Sequence, residues 1–325
     1  MRLFSALIAV FFLICPVSVS TAGSVYDRVK ARGVVRCGSV ERPGLADVDG
    51  DGHWTGLEVD ICRAVATAVL SAPERMEYHK YETPKDFDAV RNQQDDLYFL
   101  TGSEIATQNL AEKVLPGPTV FVESHNVMVA TKSNVHQVSD LSGDSICFMI
   151  GSACERTLDA YFDGIHKSFL RRPFSEDGEM ADTYAVQNCH AVAGEITTLA
   201  SIRLEPGVNN LSSRILPDPL AVFPIMASTG TADGRWSSVV AWTVHTLISA
   251  ERHETKWHAG GDRAMPVSAP ELGLDKEWQQ RVLKAVGNYG DIFDRNLGSV
   301  SALKIDRGFN ANCISGGLLL SPFLE

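Results

Sequence analysis

The sequence has 325 residues, 45% of them apolar and 21% charged, with a formal net charge of −11. That composition excludes a disordered, collagenous or coiled-coil chain, and the length suggests two lobes, each burying a core of its own. An acidic chain without a Lys/Arg-rich run repels phosphate backbones and anionic membrane surfaces, so nucleic acid is excluded as a partner.

Met1-Arg2 is followed by an apolar run from Leu3 to Cys15, then Pro16 and small residues up to Ala22. A positive start, a short apolar centre and a small-residue end are the three parts of a secretory leader, expected over residues 1–22 with cleavage after Ala22. The run has 13 residues, whereas a helix needs about 20 to cross a bilayer. Ile14 is too bulky, in front of Cys15, for the lipid-modified type of leader, and no later segment is long and apolar enough to span a membrane. Loss of the leader takes the net charge to −12 and leaves six cysteines: Cys37, Cys62, Cys147, Cys154, Cys189 and Cys313. An even count in an exported chain permits disulfides, with buried free thiols as the alternative, and counting alone cannot choose the pairing. The absence of CxxC, and of His at zinc spacing beside a cysteine, disfavours a structural zinc site.

From Val34 onward short β-rich runs alternate with helical stretches. Strands are predicted over 34–39, 76–81 and 96–101, and helices over 57–70 and 86–92, the first with apolar positions at Val59, Cys62, Val65, Ala66 and Val69. Such alternation implies a parallel sheet covered on both faces. After a long extended stretch, 119–130, a second round begins: strands over 145–150, 168–174 and 190–195, with helices over 154–162 and 180–188 and another following Glu195. A further extended stretch, 216–226, carries Pro217, Pro219 and Pro224, and two long helical patterns follow at 236–250 and 276–288. Two extended crossings between α/β halves describe a two-strand hinge. The chain is therefore expected to form two doubly wound α/β lobes: lobe 1 from 23–127 with 227–325, and lobe 2 from 128–226, inserted into it. A ligand would lie in the cleft between them, at the carboxyl ends of the strands.

Trp54-Thr-Gly-Leu-Glu-Val-Asp60, Ile61-Cys-Arg-Ala-Val-Ala66 and the stretch from Arg281 to Asn296 resemble the polar-amino-acid-binding proteins of bacterial ABC importers, in particular their general L-amino-acid branch. The likeness runs from about Val25 to Gly317, with the C-terminal stretch its most specific part. It implies a type II periplasmic binding protein, a non-enzymatic receptor that closes on a small solute and presents it to a membrane permease, working in the periplasm without a cofactor. It also implies two disulfides, Cys37–Cys62 and Cys147–Cys189. Cys154 and Cys313 have no counterpart in the pattern and would be free, or joined if the C-terminal tail folds across the cleft.

An α-amino acid presents a carboxylate and an ammonium, so its site needs a positive fork and a carboxylate. The family's clamping Arg falls on Gln108, a neutral amide whose hydrogen bonds are about half as strong as charge-assisted ones. The resemblance assigns ligand contacts to Phe87, Thr101, Ser103, Ser152, Ala153 and Glu195, the last as receiver of the ligand ammonium. Each has a plainer reading: Phe87 as a core aromatic, Thr101 and Ser103 as helix caps, Glu195 and Gln108 as solvated surface groups. With the clamp replaced, recognition of ordinary α-amino acids should weaken, and a cationic solute held by Glu195 should suit the cleft better.

Asp47, Asp49, Asp51 and Glu58, with Gly52 at the turn, satisfy the calcium-loop pattern D-x-D-x-D-G-x5-E. No helix enters this loop, and a solvated β-turn is the competing reading. His245, His253 and His258 are not at metal-binding helical spacing, and no G-x-S-x-G, H-E-x-x-H or phosphate loop occurs. Two further function classes stay in view: a dehydratase-like enzyme using Glu195 as general acid, and a sensor or assembly partner that has lost its ligand.

Overall fold

A computed structural model describes residues 24–83, 85–252 and 269–322. The leader and the two histidines His253 and His258 lie outside the described residues. Among the described residues no helix is long and apolar enough to cross a membrane.

Helix α1 (Val25–Arg32) starts on the side chain of Ser24 and stops at Gly33, whose φ of 74° suits a residue without a Cβ. Next come β1 (Val35–Ser39), the hairpin β2 (Asp47–Val48) and β3 (Trp54–Thr55), α2 (Leu57–Leu70) and β4 (Met76–Lys80). They are followed by α3 (Asp88–Arg91), β5 (Leu97–Thr101), α4 (Gly102–Thr107), β6 (Val114–Leu115) and the long β7 (Thr119–Ala130). The second round is β8 (Ser145–Met149), α5 (Ala153–Gly164), β9 (Leu170–Phe174), α6 (Asp177–Ala185), β10 (Ala191–Glu195), α7 (Ile196–Ile202), α8 (Pro206–Leu211) and β11 (Ser213–Ile215). The chain returns through β12 (Ala221–Gly230) into α9 (Gly234–Arg252), α10 (Ala269–Leu272), α11 (Trp278–Val286) and α12 (Tyr289–Asn296).

The main sheet runs β4-β1-β5-β12-β7-β10-β8-β9. Its two ends are parallel, β4-β1-β5 on one side and β10-β8-β9 on the other. The middle is antiparallel, because β7 and β12 are the outgoing and returning crossings, paired with each other and with β10 and β5. Apolar packing divides in the same way. One large cluster draws on residues 25–122 and 225–319, joined from outside by Ala200, with a satellite around Tyr81, Tyr98 and Leu110. Two clusters covering opposite faces of the other end use residues 127–216 alone. The C-terminal segment is fastened to β7. The Asn310 side chain accepts the Val122 N–H at 2.7 Å and donates to its carbonyl at 3.0 Å, and the Tyr289 hydroxyl donates to the Val120 carbonyl.

Several boundaries differ from the sequence pattern for local reasons. The helix expected over 86–92 shortens to α3 because Asp86 accepts the N–H groups of Glu82 and Thr83, which closes a turn before the helix. The returning strand begins only at Ala221, after Pro217 and Pro219, which lack a ladder donor, and then runs on to Gly230. The helix expected over 276–288 ends at Gly287, and Asn288 caps a new helix, α12.

Cys37–Cys62 joins β1 to α2, and Cys147–Cys189 joins β8 to the segment before β10. Cys154 is buried and free, Cys313 exposed and free, so no third bridge crosses between them. Burial raises the Cys154 thiol pKa to about 12, and the thiolate is the reactive form. Iodoacetamide on the native protein, read by intact mass, should therefore add one label rapidly, at Cys313; the second should appear only on unfolding.

Candidate functional site

The carboxyl ends of the parallel strands carry the charged residues. β1 ends at Ser39, and the tight loop after it, closed by the Arg42 and Ala46 backbones, turns Arg42 inward until it is 5% exposed. β5 runs into α4 through a capping box: the Thr101 hydroxyl accepts the Glu104 N–H, and Glu104 accepts the Thr101 N–H. The other Glu104 oxygen takes Arg42 Nη2 at 2.5 Å. Glu58, in the first turn of α2, is fully buried with Oε1 3.8 Å from Arg42 Nη1. Its Oε2 accepts the Tyr78 hydroxyl at 3.2 Å.

From the crossing strand and the far side come three more groups. Glu123 is wholly buried in β7 and holds the start of α7, accepting the Ile196 N–H at 3.0 Å, the Thr197 hydroxyl at 2.7 Å and the Ser124 N–H at 2.9 Å. Glu195, half-buried, ends β10 in register with His125 of β7. His125 Nδ1 lies 3.0 Å from the Thr157 hydroxyl of α5, its ring meets Phe223 edge-on at 4.9 Å, and its buried Nε2 has no partner.

Arg42 therefore stands in the field of four glutamates: Glu104, Glu58, Glu195 and Glu123. Burial is the largest influence on each inward carboxyl. It raises Glu58 and Glu123 to about 7, Glu123 helped by the nearby Glu195, and it raises Glu195 against the opposing pull of Arg42. Burial, with Arg156 nearby, lowers His125 to about 4, so its ring is neutral at pH 7. Arg42 Nη1 and Glu58 Oε1 are buried and make no hydrogen bond. Such groups are costly to leave unsatisfied. The arrangement offers one guanidinium donor, a neutral imidazole nitrogen and an excess of carboxylate.

The residues singled out from sequence are distributed unevenly around this centre. Glu195 lies within it, and Thr101 supports it through the Glu104 capping box. Ser103 is exposed on α4, its carbonyl accepting the Thr107 hydroxyl. Gln108 ends α4 and is tied to Arg91, whose Nη2 donates to its side-chain and backbone oxygens. Phe87 is 5% exposed and packs on Tyr81 in the satellite core. Ser152 caps α5, accepting the Glu155 N–H, and Ala153 is the first helical residue. The next, Cys154, feels the Glu195 charge.

The residues of the calcium pattern divide between the hairpin tip and the core. Asp49, Asp51 and His53 are exposed at the hairpin tip, where Asp49 accepts the N–H groups of Asp51 and His53, and Asp47 lies in β2. Glu58, expected as the twelfth-position ligand, is corrected to a buried partner of Arg42 and Tyr78, because the first turn of α2 faces the core. Asp49 and Asp51 instead group with His53, their ligand atoms all within 4.8 Å of one another. His245 is half-buried beside Trp242.

Sequence reasoning missed Arg42, Glu104, Glu123 and His125. Two signals were available. Arg42-Pro43-Gly44 begins three residues after a strand end, and Glu123-Ser124-His125-Asn126 interrupt an otherwise apolar extended run.

No family model matches the chain. It is 30% identical over 99% of its length, and 98% of the other, to the general L-amino acid-binding periplasmic protein AapJ of Rhizobium johnstonii. To the glutamate/glutamine/aspartate/asparagine-binding protein BztA of Rhodobacter capsulatus it is 27% identical, over 94% of this chain and 95% of that one. Among solved structures, a periplasmic binding protein from Brucella ovis with glutathione bound superposes with a TM-score of 0.76 at 28% identity, covering 91% of this chain and 98% of that one.

Proposed function

The chain belongs to the periplasmic amino-acid-binding proteins of ABC transporters, and from that premise we propose that it is a receptor which captures a small amine-bearing solute, an amino acid or an amine, and hands it to a membrane permease. On this reading the leader 1–22 directs export and is removed, lobe 1 is 23–127 with 227–325, and lobe 2 is 128–226. Bending at β7 and β12 closes one lobe on the other. Contacts to both lobes exist together only in the closed form, so the solute draws the population toward it.

One observation carries the reading: Arg42 lies 2.5 Å from Glu104 and 3.8 Å from Glu58, within the field of Glu195 and Glu123, so carboxylates outnumber the guanidinium at the strand ends. Glu195 receives the ammonium and Arg42 Nη1 donates to an oxygen of the solute. Arg42 thus stands in for the charge that Gln108 lacks, with the difference that Glu104 already holds part of it. The named ligands of the relatives, acidic and amidic amino acids and glutathione, all pair an ammonium with a carboxylate.

Calorimetry against lysine, ornithine, putrescine and glutamate tests the proposal. Lysine and ornithine should bind at least tenfold more tightly than glutamate, with putrescine, which offers Arg42 no oxygen, weaker than both, and Glu195→Gln should weaken them at least tenfold, the worth of one charge-assisted contact. An arriving ammonium favours ionised carboxylates, so binding near pH 7 should release protons and the heat should vary with the ionisation enthalpy of the buffer. Tightest binding of glutamate would overturn the charge assignment. A melting temperature unmoved by any amino acid or amine would favour the assembly-partner reading, for which the internal Arg42–Glu104 pair speaks.

A further inference from the structure

Successive side chains of a strand point to opposite faces. Glu123 and His125 of β7 turn toward the acidic centre, so Val122, Ser124 and Asn126 turn away from it. They line a separate cavity of about 410 Å³, within the size range of small-molecule sites. Its charge is the reverse of the acidic centre. Arg203 and Arg214 enter from the inserted half, Lys304 and Arg307 from the C-terminal segment, and Asp306 is the one carboxylate in the lining.

Two of these cations, Arg203 and Arg214, are held by neutral groups. Arg203 donates to the Leu303 carbonyl and Arg214 to the Val135 carbonyl, neutral acceptors that orient a guanidinium without cancelling its charge. Among the described residues Arg307 alone of the four has an acidic partner, Glu251. Lys304 is exposed, on a turn held at φ 45°. With Glu251 set against Arg307 and Asp306 in the lining, four cations still outnumber two carboxylates around one cavity, in a chain whose net charge is −11, and an anion seated among them would offset that excess.

We propose that this rear cavity binds a small dianion, a dicarboxylate, with one carboxylate on Arg203 and Arg214 and the other on Lys304 and Arg307, so that the ligand bridges the two halves behind the crossing strands. The pair of cationic walls selects two anionic groups over one. Arginine supplies the planar fork that suits a carboxylate, while the Ser124 hydroxyl and the apolar wall of Val122 and Pro217 bound the space between.

The test is calorimetry with succinate at low ionic strength, with acetate as the single-charge control. Saturable succinate binding is expected, weaker at least tenfold in Lys304→Glu and in Arg214→Gln, and weaker again in 0.5 M salt, where the screening length is only a few ångström. Acetate should give no saturable heat at the same concentration. Glu195→Gln, which alters the acidic centre on the other face, should leave succinate affinity unchanged. The proposal is overturned by absent succinate binding, by parental affinity in both cavity variants, or by tighter binding in Glu195→Gln, which would place the anion at the acidic centre, where loss of a like charge favours it. Circular dichroism of each variant separates a lost site from a lost fold.

Discussion

Arg42→Met should lower the unfolding free energy by about 3–5 kcal/mol at pH 8, the cost of removing one partner from a buried ionic cluster. Arg42 is 5% exposed and Glu58 wholly buried, so water cannot replace the guanidinium, and Glu104 loses its contact at 2.5 Å. The loss should depend on pH in a set direction. Glu58 and Glu123 titrate near 7 in the folded chain, raised chiefly by burial, against about 4.5 without it. Between those values the folded state holds protons that the unfolded state has released. The stability these carboxyls contribute is complete below about pH 4.5 and declines as pH rises through 7. Removing Arg42 takes away a charge that holds both values down, so the deficit should be greatest at pH 8 and smaller at pH 5. Urea unfolding of both proteins at the two pH values measures this. Adding Glu104→Gln to Arg42→Met should restore part of the loss, since neighbouring groups are not additive. A deficit under 1 kcal/mol, or one equal at both pH values, would mean that Arg42 does not hold the cluster.

Cys37→Ser with Cys62→Ser should cost about 3.5 kcal/mol, the chain entropy of a loop whose ends are 25 residues apart. The pair is fully buried where β1 meets α2, so the replacement hydroxyls would also enter an apolar cluster. The combined effect should lower the melting temperature by roughly 5–10 °C. Both residues are 0% exposed, so dithiothreitol should leave the native protein oxidised and reduce this bond once the chain unfolds. A variant that melts with the parent would show that the large core alone holds β1 on α2.

Local pattern carried much of the fold because it reports on one element at a time. Apolar spacing places α2 at Leu57–Leu70, as observed, and the unbroken extended run gives β7 its bounds, Thr119–Ala130. Ends set by side-chain chemistry were harder to read: Asp86 spends its carboxylate on a turn, and Asn288 opens a helix where periodicity alone continues the previous one. The two disulfides followed from resemblance, since six cysteines do not declare their pairing.

The charged centre was only half legible. Glu195 stands at a strand end, where position along the chain suffices to suggest a role. Arg42, Glu58, Glu104 and Glu123 are separated by up to 81 residues, and their meeting depends on how β1, α2, α4 and β7 pack. Glu58 shows the limit: its spacing suits a calcium loop, and its burial makes it a partner of Arg42 instead. By itself the sequence determined two α/β rounds, two long crossings and an acidic surface, because periodicity and composition are local sums. Only the tertiary structure decided which charges are desolvated together, because burial and mutual field exist only once distant strand ends converge, with β7 setting one charge sign on each of its faces.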